Sequence, residues 1–226
     1  MTNDPSTVDF YYDPISPYAY LAFHALPNAL EGVSVQVRYR PVLFGALLKA
    51  GGHKGPAEIA GKREWTYRQV LWQAREMDLP MAMPAAHPFN PLALSRSALA
   101  ASDGSGFTNR WVTQMVLDHV WQGGQDPLEA DRLAGLQTVL QAHRQKAYPG
   151  SSELSADAVK QLLVDNTEHA LARGVFGVPT CEWRGELFWG LDALPMLRQA
   201  IAGDEWFHSA AWRDAASIPV GIARKV

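Results

Sequence analysis

Three short segments carry side chains that could do chemistry together. The first is Asp13-Pro14-Ile15-Ser16-Pro17-Tyr18-Ala19-Tyr20. Serine followed by proline is a helix start, because the hydroxyl caps a free amide and proline at the first helical position wastes no donor. The first amides of a helix lack internal partners, and the helix dipole adds partial positive charge there, so the place suits an anion. A hydroxyl at that point can donate to a bound thiolate, and donation to the charged form lowers the thiol pKa. The plainer reading is that Ser16 caps the helix and does nothing else. The second segment is Gly174-Val175-Phe176-Gly177-Val178-Pro179-Thr180. A cis Val178–Pro179 bond would leave the Val178 backbone open to a ligand backbone; the alternative is a trans proline opening an edge strand. The third is Phe188-Trp189-Gly190-Leu191-Asp192. Gly190 allows close approach of a ligand, and the Asp192 carboxylate either binds an ammonium group or caps the next helix.

These segments need elements to hold them. Val8–Tyr12 is β-branched and aromatic and stops at Asp13-Pro14, which predicts a buried strand and a turn. Tyr18, Leu21, Ala22, Ala25 and Leu26 then follow helical spacing, and Pro27 is expected to kink or end that helix. Val33–Arg40 alternates apolar and polar residues, the mark of a second strand. Strand, helix and strand form a βαβ unit with a parallel pair. From Phe44 to Arg173 only helical patterns appear: Lys62–Met77, then Asn90-Pro91 opening a helix to about Ala101, Phe107–Trp121, Pro127–Ala142 and Ser155–Arg173. Strands return at Pro179–Trp183 and Glu186–Trp189, joined by the tight turn Arg184-Gly185. Asp192–Ala202 is the expected final helix, and the two ends of the chain must share one sheet. The expected fold is therefore α/β. Residues 1–43 and 174–203 form a discontinuous strand-bearing domain, 44–173 an all-helical insertion, and 204–226 a tail on the surface.

Composition narrows the function. The chain has 226 residues, 47% of them hydrophobic and 19% charged, so a packed core forms and disorder is not expected. The net charge of −3, with no basic run longer than two residues, gives no footprint for nucleic acid or a membrane surface. Met1–Pro5 carries neither the cationic nor the apolar part of a secretory signal, and Pro41–Leu48, the longest apolar run, is too short to span a bilayer. A cytoplasmic protein is expected. The single cysteine, Cys181, forms no internal disulfide and reads as a small buried hydrophobe on a strand. The histidines lack ligand spacing, so no metal site is expected. His119, on an apolar helix face, reads as a hydrogen-bonded core residue. Trp65 and Trp72 form one helical stripe, read first as core and, more sharply, as an aromatic wall for an aryl substrate.

In order, the strand-turn-helix Val8–Tyr20, the Val178-Pro179-Thr180 segment and Trp189-Gly190-x-Asp192 flank a helical insertion. With Arg40-Pro41 and Lys49-x-x-Gly52-x-Lys54, this resembles the 2-hydroxychromene-2-carboxylate isomerase family. That family is close to the kappa-class glutathione transferases, on the DsbA-like branch of the thioredoxin fold. The resemblance implies a thioredoxin-like domain with a large all-helical insertion, glutathione as cofactor and a small aromatic catabolite as substrate. It implies that Ser16 is the catalytic serine, standing where redox relatives carry the first cysteine of Cys-x-x-Cys. Val178, before the cis-proline Pro179, would pair with the cysteinyl backbone of glutathione. Asp192 would hold the γ-glutamyl amino group, with Leu191 beside it, and Lys62 the carboxylate end, with His53 nearby. Tyr18 and Trp65 would line the substrate pocket. The chain departs from the family's usual residues at His53, Leu191 and Ala193. A kappa-like transferase and a non-catalytic DsbA-like binding protein are the alternative readings, and the chain is compatible with a homodimer.

Overall fold

The computed structural model describes residues 6–222. The Met1–Pro5 segment and the last four residues of the tail, 223–226, lie outside the described residues. The first strand, β1 (Ser6–Tyr12), leads through Asp13–Ser16 into α1 (Pro17–Ala29) and then β2 (Val35–Pro41). Six helices follow before the next strand: α2 (Phe44–Ala50), α3 (Lys62–Glu76), α4 (Leu92–Ala100), α5 (Arg110–Trp121), α6 (Ala130–Ala147) and α7 (Ala156–Ala172). The hairpin β3 (Thr180–Trp183) and β4 (Glu186–Trp189) then leads through a 3-10 turn, Leu191–Ala193, into α8 (Leu194–Ile201).

The four strands form one mixed sheet in the order β2-β1-β3-β4. β1 pairs in parallel with β2, as the βαβ pattern predicts, and antiparallel with β3, so the two ends of the chain do share a sheet. Side-chain alternation gives β1 two buried faces. Val8, Phe10 and Tyr12 join the main core with α1, α5 and α8, while Tyr11 packs with Val42, Leu47, Ala170, Val175 and Val178 under α7. Asp9 shares that second face and is held by Arg38 and Arg40, whose guanidinium nitrogens come within 2.9 and 3.1 Å of its carboxylate. The hairpin turn needs positive φ at both central residues, and Arg184 (52°) and Gly185 (90°) supply it.

Three expectations are corrected. Of the two outcomes expected at Pro27, an end to α1 is not seen, since the helix runs on to Ala29. Proline has no N–H to give Phe23, four residues back; Arg110 Nη1 reaches the Phe23 carbonyl instead, at 3.4 Å, and its guanidinium lies over the Phe23 ring. Phe107-Thr108 is not helical: Thr108 makes an isolated bridge to Tyr39 at the sheet edge, and α5 begins only after the Asn109 cap. The helix after β4 is not the last. A 3-10 turn, Glu205–His208, and α9 (Ala210–Ala215) follow, fixed by Phe207, which is buried against Phe188.

Candidate active site at the first strand-helix turn

The turn Asp13–Ser16 is held from all sides. Ser16 is the N-cap of α1, and its hydroxyl accepts the Ala19 amide at 3.2 Å, so it does cap the helix. The same hydroxyl donates to the carbonyl of Val178 at 3.3 Å, and Ser16 is only 5% exposed. The Val178–Pro179 bond is cis, and Pro179 leads into β3, an interior strand, so the edge-strand alternative is overturned. Among the described residues the Val178 amide has no hydrogen-bond partner, while its carbonyl is taken by Ser16. The Tyr18 amide, at the second helical position, is likewise without a partner. Two free donors therefore stand close to one hydroxyl at the positive end of a helix, an arrangement that favours an anion.

Sequence reasoning missed the residues that fix this turn. Asp13, 1% exposed, accepts the Ile15 amide at 3.0 Å and the Phe44 amide at 2.9 Å, tying the turn to the first residue of α2. Burial raises its carboxyl to about 6, against the two hydrogen bonds, which act the other way. Trp121 Nε1 donates to the Pro14 carbonyl at 3.0 Å. His87 Nε2 lies 2.8 Å from the Ile15 carbonyl. The only local signal for these roles was Asp13 itself, read as a strand terminator; Trp121 and His87 arrive from distant helices and loops.

Tyr18 donates to Gln69 Oε1 on α3 at 2.7 Å. Burial pushes its hydroxyl pKa up, and the nearby Asp192 carboxylate adds to the effect. The fold thus gathers Ser16, Tyr18, Val178, Pro179 and Asp192. Asp192 is exposed and its side chain caps no helix among the described residues, so the N-cap alternative fails. Gly190, at φ +96°, sits where an added Cβ would lie 2.5 Å from the Asp192 carboxylate; its amide bonds to the Pro179 carbonyl at 2.9 Å. Leu191 is half-buried against the main core. His53 and Lys62 lie on exposed surface and make no side-chain hydrogen bond to this group among the described residues. Trp65 and Trp72 are 64% and 57% exposed, which overturns the core reading. Thr66, Val70 and Ala74 form the buried stripe of α3 instead. A second exposed aromatic pair, Phe176 and Trp189, stands beside the Val178-Pro179 segment with ring centroids 5.0 Å apart.

The DSBA-like thioredoxin domain pattern matches residues 7–202, from β1 to the end of α8. The chain belongs to that family. Within the DSBA-like family it is similar to the 2-hydroxychromene-2-carboxylate isomerase of Pseudomonas sp. (strain C18), with 28% identity over 198 residues, 87% of this chain and 90% of the relative. It is 22% identical to glutathione S-transferase kappa 1 of Homo sapiens over 89% of this chain and 93% of the relative. A solved 2-hydroxychromene-2-carboxylate isomerase superposes with a TM-score of 0.65 at 22% identity, covering 94% of this chain and all of the other. This DSBA-like chain carries Ser16-Pro17-Tyr18-Ala19 at the first helix start, with no cysteine there. Its only thiol, Cys181, is buried in β3 and pushed up to about 12, so it takes no part in dithiol exchange.

Proposed function

We propose that the chain is a cytoplasmic glutathione-dependent isomerase acting on 2-hydroxychromene-2-carboxylate or a related aromatic catabolite. One observation carries this reading: the buried Ser16 hydroxyl faces the cis Val178–Pro179 bond, with the Tyr18 and Val178 amides free beside it. Bound glutathione would supply a thiolate that adds reversibly to an unsaturated carbon and leaves after rotation about the bond, so that it is not consumed. The chain's own task is to make that thiolate stable at neutral pH. An ordinary thiol has a pKa of about 8.5, and a hydroxyl donor with a free helix-start amide lowers it.

The bond between Ser16 and Val178 suggests how. A tripeptide backbone laid along Val178 needs both its N–H and its carbonyl, as strand pairing does. The carbonyl is engaged by Ser16 at a long 3.3 Å. If the hydroxyl turns toward sulfur, the carbonyl is released for the ligand's amide, so a single exchange supplies both contacts. The exposed Asp192 carboxylate, with no hydrogen-bonding role in the fold among the described residues, suits the γ-glutamyl ammonium. Lys62 and His53 would meet the other end of the tripeptide, and Trp65 with Tyr18 the aryl substrate.

Calorimetry with glutathione, followed by product analysis on 2-hydroxychromene-2-carboxylate, tests the reading. Binding with recovery of free glutathione and isomerised substrate is the expected result. A retained conjugate would make the chain a transferase, and no binding would remove glutathione chemistry altogether.

A further inference from the structure

We infer that His87, held by Tyr67, is a positioning residue that sets the polarity of the Ser16 turn. The turn presents several backbone carbonyls close to the place where negative charge would gather. Each one described is bonded to a donor: Asp13 to the Ser16 amide at 3.0 Å, Pro14 to Trp121 Nε1 at 3.0 Å, Ile15 to His87 Nε2 at 2.8 Å, and Ser16 to the Ala19 amide at 3.1 Å. Ile15 is the member of this set next to Ser16 in the chain, and its donor, His87, is a side chain able to lose the proton it donates. A carbonyl oxygen only accepts, so the Ile15 bond fixes the His87 proton on Nε2. Nδ1 is then an acceptor, and the Tyr67 hydroxyl stands 2.8 Å from it and 2.9 Å from the His87 carbonyl.

The ring has little freedom. It packs against Trp121, Tyr67 and Phe89, with centroids 5.5, 5.4 and 6.0 Å away. Burial lowers its pKa, which favours the neutral ring, with its one proton on Nε2. Without the imidazole the Ile15 carbonyl is free to turn, and its negative end then competes with a bound anion for the Tyr18 amide and the Ser16 hydroxyl. Tyr67 also sits on α3, two residues from Gln69, the partner of the Tyr18 hydroxyl. One helix thus fixes both sides of the turn.

The role rests on the thiolate reading of Ser16, but its test uses a thiol built into the chain, so failure to bind glutathione leaves it standing. Ser16→Cys places a sulfur at the helix start, and Cys181, buried and protonated, does not interfere. The thiol pKa of this variant is read from the pH dependence of its alkylation. Adding His87→Ala is expected to raise that pKa by about one unit and slow alkylation at neutral pH several-fold. His87→Gln, which keeps a donor in the Nε2 position, is expected to restore the parent value. Tyr67→Phe is expected to give a smaller shift in the same direction. An unchanged pKa in His87→Ala, whatever happens to its thermal midpoint, overturns the inference. If that variant does not fold, Tyr67→Phe decides alone: a shift supports the inference and an unchanged value overturns it.

Discussion

The Ser16 hydroxyl reaches the Val178 carbonyl, 3.3 Å away across 162 residues of chain. This bond joins the first strand-helix turn to the approach of the third strand, and it occupies one donor and one acceptor that a thiol tripeptide would need. Ser16 thus acts as cap and bridge at once, and the two roles separate by mutation. Ser16→Ala should lower stability by about 1 kcal/mol through loss of the cap. The same change should return the pKa of bound glutathione towards its free value, followed by ultraviolet absorbance of the thiolate. A variant that lost only stability would leave Ser16 as a cap.

Asp13 should leave its mark on the pH dependence of stability. Its folded pKa, about 6, lies above the ordinary 3.8. Its contribution is therefore fully favourable below about 3.8, is lost as pH rises through about 6, and is constant above, with a span of about 3 kcal/mol. Asp13→Asn removes this titration, at a fixed cost for one backbone hydrogen bond. Denaturant melts at several pH values should show the variant gaining on the parent between about pH 4 and 6. Parallel curves would show that Asp13 does not titrate in that window.

Asp192 carries no hydrogen bond of the fold among the described residues, so its removal should be felt by ligand alone. Asp192→Asn is expected to weaken glutathione binding about tenfold with an unchanged thermal midpoint. Equal affinity in calorimetry would place the γ-glutamyl group elsewhere.

Cys181 is the single cysteine, 2% exposed, with its thiol held up to about 12 by burial. The native chain should show no fast reaction with a thiol-specific disulfide reagent at neutral pH, and one equivalent after unfolding in denaturant. A rapid native reaction would mean that β3 opens readily.

Much of this was legible in the sequence because it is local. Ser16-Pro17 and Arg184-Gly185 each state their structure within a few residues. The βαβ start and the return of strands after a helical stretch implied the shared sheet. What escaped depends on distant partners. Nothing near Pro27 announces that Arg110 will replace its missing donor, and nothing near His87 announces Ile15. A seven-residue spacing places Trp65 and Trp72 on one face of a helix but does not say which face turns inward. The smaller Thr66, Val70 and Ala74 face inward, where α3 packs against α1. Of the candidate site, Ser16, Val178, Pro179 and Asp192 stood out in their own segments, but the clamps on the turn came from tertiary packing.

The strand order has a consequence for synthesis. β1 lies between β2 and β3, but β3 is translated about 170 residues after it, so β1 must wait on the ribosome with one edge bare. During that interval the helices from α2 to α7 emerge one by one and can shield the open strand. The candidate site is completed only when the Val178-Pro179 segment arrives just ahead of the closing hairpin, so a nascent chain stalled before Val178 has the serine but not its partner.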